Sequence, residues 1–146
     1  MYTSKRISAT ALVLAASLSA WPSLSALAAD PAKKGGASQV ELINGSKLSR
    51  VTLTKKAAER LDIKTAKVVV DAAGIMTAPY AAVLYDLKGN TWVYTNPNPL
   101  TYVRHAVVVE SIKGERAFLK AGPATGTMVV VVGASELYGA ENGVGH

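Results

Sequence analysis

Residues 81–119 read AAVLYDLKGNTWVYTNPNPLTYVRHAVVVESIKGERAFL, a series of β-branched and aromatic runs separated by Gly, Asn and Pro. DLKGN at 86–90 is turn chemistry, and TWVY at 91–94 is placed to pair back onto AAVLY at 81–85. NPNP at 96–99 is unsuited to a central strand, because each proline removes a ladder donor. TYVRHAVVVE at 101–110 is the longest strand candidate; Lys113-Gly114 turns the chain, and RAFL at 116–119 pairs back. Strands this short, joined by turns this tight, lie antiparallel to their neighbours.

The same rhythm continues toward the C-terminus. Gly122-Pro123 marks another turn, and TMVVVV at 127–132 lacks polar alternation, which suits a strand covered on both faces. Gly133 stops it, residues 134–137 can form a helical turn, and 139–146 form a Gly-rich tail. Upstream, QVELI at 39–43 and SRVTL at 49–53 flank the turn signal Asn44-Gly45, and KTAKVVVD at 64–71 is strand-like. TKKAAERL at 54–61 is the best helix of this region. Thr54 can cap it, and Ala57, Ala58 and Leu61 share one face.

Residues 1–28 have a different character. Lys5 and Arg6 open the segment, an apolar Ala- and Leu-rich run follows, Trp21-Pro22 breaks it, and Ala26-Leu27-Ala28 supplies small residues for cleavage. This is the pattern of a secretory signal peptide. The run is short for a membrane span and is interrupted by Ser and Pro. With no Cys near the cut, a lipid-anchored precursor is not expected. The expected organisation is a signal peptide at 1–28, a flexible lead-in at 29–38, one domain at 39–139 and a flexible tail at 140–146. The expected fold is mainly β, a small antiparallel β-roll or barrel with one short helix near the start of the mature chain. No membrane span is expected once the signal is removed.

Composition narrows the chemistry. The chain has no cysteine, which excludes disulfides, thiolate metal sites and a Cys nucleophile. The formal net charge is +6, but the basic residues are dispersed, with doublets only at Lys33-Lys34 and Lys55-Lys56 in the mature chain. A clustered basic stripe with interleaved aromatics is missing, so a nucleic-acid partner is not expected. The two histidines are His105 and His146. His105 shares a strand face with Val103, Val107 and Val109, which makes it a hydrogen-bonded structural residue first and a weak metal candidate second. His146 follows two glycines and is poorly restrained for acid–base work. Glu110 and Glu115 flank one turn without the cleft a hydrolytic pair requires. Met76 and Met128 read as core. No catalytic residue and no cofactor are expected, and the chain is not expected to be an enzyme. Tyr80, Tyr85, Trp92, Tyr94 and Tyr102 concentrate around one hairpin and the strand after it. They read as cross-strand packing or as anchors for a partner, and an exposed Trp92–Tyr94 patch would separate the two.

Several of these stretches resemble one family. APYAAVLYD at 78–86, GNTWVY at 89–94, YVRH at 102–105, VVVGASELYG at 130–139 and GVGH at 143–146 are similar to the C-terminal portion of periplasmic adaptor subunits (membrane fusion proteins) of RND-type efflux systems. VTLT at 51–54 and LDIKT at 61–65 resemble the segment that opens such adaptors. In the family a barrel, a lipoyl-like domain and usually a helical hairpin lie between these segments; here Thr65 and Pro79 are too close in sequence to hold them. The resemblance therefore implies the membrane-proximal domain alone, its halves joined through residues 68–76. It further implies a periplasmic, non-catalytic accessory docking on an inner-membrane RND transporter or on a full-length periplasmic adaptor. Candidate contact residues are Trp92, Tyr94, Tyr102 and Arg104. The alternative is a periplasmic metal or small-molecule binding protein associated with efflux.

Overall fold

The computed structural model describes residues 36–144. The expected signal peptide, most of the lead-in and His146 lie outside the described residues. The elements are β1 (Ser38–Leu42), β2 (Ser49–Leu53), α1 (Lys55–Arg60), β3 (Lys64–Lys67), β4 (Val69–Val70), β5 (Met76–Pro79), a 3-10 turn (Tyr80–Ala82), β6 (Leu84–Tyr85), β7 (Thr91–Asn98), β8 (Thr101–Lys113), β9 (Arg116–Ala121), β10 (Met128–Val132) and α2 (Ala134–Glu141). The protein is mainly β, as expected, and its strands form a nearly closed antiparallel barrel-like sheet. None of the helices among the described residues is long and apolar enough to cross a membrane.

The strand order β3-β10-β7-β8-β9-β5-β4 begins and ends on strands that are consecutive in sequence. Only Val68 separates them, fully buried, so the sheet curls back on itself there. Val68 donates its N–H to Thr127 O and accepts from Gly126 N. These bonds break the expected single strand at 64–71 into β3 and β4. β8, 13 residues long, is the spine. Its first part pairs with β7 on one side and β2 on the other, and its later part pairs with β9. Register shifts at Val108/Val109 and Val109/Ser111 bend it between these neighbours. β1 extends the sheet beyond β2, and β6 lies along β7.

Two sequence expectations are corrected locally. Residues 81–85 are not one strand: Tyr80 N bonds Glu115 O and Val83 N bonds Tyr80 O, winding Tyr80–Ala82 into a 3-10 turn and leaving only Leu84 and Tyr85 to pair with β7. β7 also runs on to Asn98, through Pro97. Its register shifts between Thr95 and Asn98, so the proline sits in an irregularity where no ladder bond is required of it.

The strands separate two apolar clusters. One gathers Val68, Ala78, Val83, Val93, Val107, Leu119 and Val129; the other gathers Val51, Leu53, Ala57, Tyr94, Tyr102, Val130 and Leu137. β7 and β10 each feed both, through Val93 and Tyr94 and through Val129 and Val130, because successive side chains point to opposite faces. The lack of alternation at 127–132 therefore marks a strand buried on both sides, as its sequence implies. α1 is capped as expected, Thr54 Oγ1 accepting from Ala57 N at 3.2 Å. With six residues it is held by burial of Ala57 rather than by propensity.

The C-terminal expectation needs the largest correction. α2 continues past residue 137 to Glu141, and Val144 N bonds back to Gly139 O, so the start of the expected tail belongs to the fold. The helix starts from Gly133, whose φ is +87°, and a Cβ there would overlap Ile63 Cδ1. Gly133→Ala is expected to cost about 1–3 kcal/mol of stability in urea denaturation. The same change at Gly126, also at positive φ but with open space around it, is expected to cost less.

Candidate functional site

Three of the four candidate contact residues converge under α2. Tyr94 on β7 lies directly opposite Arg104 on β8, with Trp92 opposite Ala106, so Trp92, Tyr94 and Arg104 share one face. The Arg104 guanidinium carbon lies 4.9 Å from the centre of the Trp92 ring and 5.3 Å from that of Tyr138, a cation held between two aromatic faces. Arg104 Nε is 2.8 Å from Glu141 Oε2, and the Tyr94 hydroxyl donates to the same oxygen. The side chains of Arg104 and Glu141 are only 13% and 3% exposed. The Nε hydrogen does not align with a partner, so the arginine–carboxylate contact is an ion pair without hydrogen-bond geometry at that nitrogen.

This geometry corrects the docking expectation. Tyr94 is 0% and Tyr102 is 4% exposed, and both pack with Leu137 of α2 in the second cluster. No exposed Trp92–Tyr94 patch forms, and Tyr94 and Tyr102 are core residues, not anchors offered to a partner. The helix that covers them, expected only as a turn at 134–137, extends into the segment expected to be a loose tail. Glu141 and Tyr138 complete the cluster and went unseen in the sequence. The available signal was the spacing of Leu137 and Glu141, four apart and so on one helical face. Gly139 and Gly143 obscured it.

Electrostatics follow the burial. Burial, then the hydrogen bond to the Glu141 carboxylate, pushes the Tyr94 phenol well above its ordinary range. Burial alone raises that of Tyr102. The opposite holds at Asp86, which organises the hairpin before β7. Its Oδ1 accepts from the backbone N–H groups of Lys88 (2.8 Å) and Asn90 (2.9 Å). Its Oδ2 accepts from Asn90 Nδ2 (2.8 Å) and the Trp92 indole (3.1 Å). These bonds, that from the Asn90 side chain foremost, lower Asp86 from 3.8 to about 2. A depressed folded-state value means that the contribution is present above the ordinary carboxylate range. It fades as the pH falls from about 4 toward 2. The Trp92 indole N–H resonance is therefore expected to hold its position down to about pH 4 and to move toward that of a solvent-exposed indole near pH 2. A shift already complete at pH 4 would refute the hydrogen bond.

The remaining candidates stay apart. His105 is exposed opposite Val93, with Nδ1 2.8 Å from Ala106 O, its neighbour's carbonyl. Glu110 lies in the bulged part of β8, several rungs from Glu115 at the β8–β9 turn. Among the described residues, no group of three or more His, Cys, Asp or Glu is placed to hold a metal. Within the Arg104–Glu141–Tyr94 set the carboxylate is engaged twice, by the Arg104 cation and by the Tyr94 hydroxyl. What it can do chemically is fasten α2 to the β7–β8 hairpin. Open grooves mark the surface of the described residues, two of them notable. One of about 830 Å³ is bordered by Lys67, Thr77, Tyr80, Glu115 and Arg116, and one of about 740 Å³ by Tyr85, Trp92 and Val107–Val109. No protein-family model matches the chain, and no curated protein matches it.

Proposed function

We propose that this chain is a periplasmic, non-catalytic accessory that docks on an RND efflux pump or on its full-length adaptor. The supporting observation is how the two resembling segments meet. The opening segment supplies β2 and β3, the closing segment supplies β8 and β10, and β2 pairs with β8 while β3 pairs with β10. Both ends of the chain thus build one sheet, which is how the membrane-proximal domain of the resembling family is assembled. The join where that family inserts its other domains is here a tight hairpin. Asp71 Oδ1 accepts from Ala73 N at 2.9 Å and Ile75 N at 2.8 Å, closing β4 directly onto β5.

With Tyr94 and Tyr102 buried, contact falls to exposed side chains, and Tyr85 and Val108 beside the half-buried Trp92 form the aromatic and apolar strip best suited to it. Affinity capture from envelope extracts of the source cell, with proteins identified by mass spectrometry, is expected to recover an RND transporter or a full-length adaptor. Tyr85→Ala with Val108→Lys is expected to reduce that recovery. Recovery of neither component would overturn the reading. Titration with Cu(I), Ag(I) and Zn(II) tests the alternative: micromolar or tighter binding lost on His105→Ala would put a metal-binding role in its place.

A further inference from the structure

β1 contributes almost nothing to either core. Four of its five residues are exposed, and among the described residues it pairs with β2 alone. A strand with no buried face is weakly held by its own ladder. Its free edge carries few of the devices that blunt exposed edges: SQVEL contains no Lys and no Pro, its one charge, Glu41, lies beside Arg50 of β2, and the β1–β2 ladder runs from Ser38↔Leu53 to Leu42↔Ser49 without a bulge. The apolar residues face a consistent way. Val40 lies opposite Val51 and Leu42 opposite Ser49, on the face whose inner residues build the second cluster. That face therefore runs from fully buried Val51 out to Val40 and then to Leu42, 76% exposed, where it meets solvent.

The phase of the free edge can be read from one bond. Thr54 N donates to Ala37 O at 3.0 Å across the β1–β2 pair, while Leu53 N turns away to Leu100 O. Polar backbone groups alternate in direction along an antiparallel strand. Gln39 and Glu41 consequently face β2, and Ser38, Val40 and Leu42 present their N–H and C=O groups outward.

We propose that β1 is a self-association edge, pairing antiparallel with β1 of a second copy about a two-fold axis through Val40. A two-fold axis normal to the sheet requires paired residues to share a face. The register centred on Val40 meets this condition and places outward backbone groups against outward backbone groups. Val40 meets Val40 of the other copy, Ser38 meets Leu42, and Gln39 meets Glu41. No like charges stand opposite, and each Glu41 keeps its own Arg50, 3.7 Å away. Centring on Glu41 would set two carboxylates against each other, with inward backbone groups at the axis. Five residues a side make a small interface, so the dimer is transient and concentration-dependent. This inference is independent of efflux docking, which uses Tyr85 and Val108 on other strands.

The chain has no cysteine, so single introduced thiols report the register. Gln39 and Glu41 of opposing copies would form a close, non-hydrogen-bonded pair about 4.5 Å apart at Cα, within disulfide range. On mild oxidation, an equimolar mixture of Gln39→Cys and Glu41→Cys proteins is expected to form mixed dimers at least tenfold faster than either alone. Leu87→Cys, on a fully exposed turn, is expected to give only background. In sedimentation equilibrium the wild-type protein is expected to approach twice its monomer mass as concentration rises. Val40→Pro removes an outward N–H only and is expected to remain monomeric with unchanged far-UV circular dichroism. Should Val40→Pro unfold, the thiol pair decides alone. A wild-type protein that stays monomeric to about 1 mM, or a mixed thiol pair that cross-links no faster than Leu87→Cys, would overturn the proposal.

Discussion

Glu141→Leu is expected to lower stability by about 3–5 kcal/mol, the cost of leaving a buried charge without its partner. The residue lies near the end of α2, where a surface glutamate would ordinarily be worth a few tenths of a kcal/mol. Its location under Arg104 and Tyr94 changes the scale. Losing the carboxylate strands a guanidinium that is 13% exposed and removes the acceptor of a buried phenol. The aromatic faces of Trp92 and Tyr138 remain over the cation, but cation–π contact recovers only about 1–2 kcal/mol of such a loss. Arg104→Met alone is expected to be similarly damaging. The double replacement, Arg104→Met with Glu141→Leu, is expected to return most of the stability, because it removes both desolvation penalties and fills the space with apolar atoms. A coupling energy of at least about 2 kcal/mol in this cycle, from urea denaturation of all four proteins, would place the network inside the fold. Coupling near zero would mean that α2 is held by Leu137 and Ala134 alone and that the ion pair is incidental.

The elements that local chemistry specifies are legible in the sequence. Thr54 announced the start of α1, the DLKGN turn announced the β6–β7 hairpin, and the unbroken valines of β10 announced burial on two sides. What the sequence could not supply was direction and distance. A period of two places Trp92 and Tyr94 on one face but does not say whether that face meets water or α2. The answer depends on Glu141, 47 positions from Tyr94, inside a segment whose glycines argue for a loose tail. Gly139 sits in the helix because a Cβ there would come within 2.7 Å of Val144 O, and the contacts of Leu137 and Glu141 outweigh a propensity loss of about 1 kcal/mol. Tertiary packing overrode local preference at the position where the candidate site was completed, and aromatic residues that looked like anchors became core.

The two-core arrangement carries the second large expectation. Val129→Asp and Val130→Asp are each expected to abolish cooperative folding, while Val132→Asp, on an exposed position of the same strand, is expected to be tolerated. Each of the first two puts a carboxylate into a fully buried apolar site, against a total stability of about 5–15 kcal/mol. Milder changes test the architecture more sharply. Val129→Ala and Val130→Ala are each expected to cost about 1.5–3 kcal/mol, from the methyl groups lost and the cavity left behind. Adjacent residues in one core would ordinarily couple. Here Val129 belongs with Val93, Val107 and Leu119, and Val130 with Val51, Tyr94 and Leu137, on the two sides of the sheet. With no shared neighbours, the two costs are expected to add within about 0.5 kcal/mol in the double variant. A double variant much less destabilised than the sum would mean that the cavities merge and that β10 does not divide the interior. Additivity between sequence neighbours follows only if a single strand, alternating sides at every residue, is the wall between two separately packed cores.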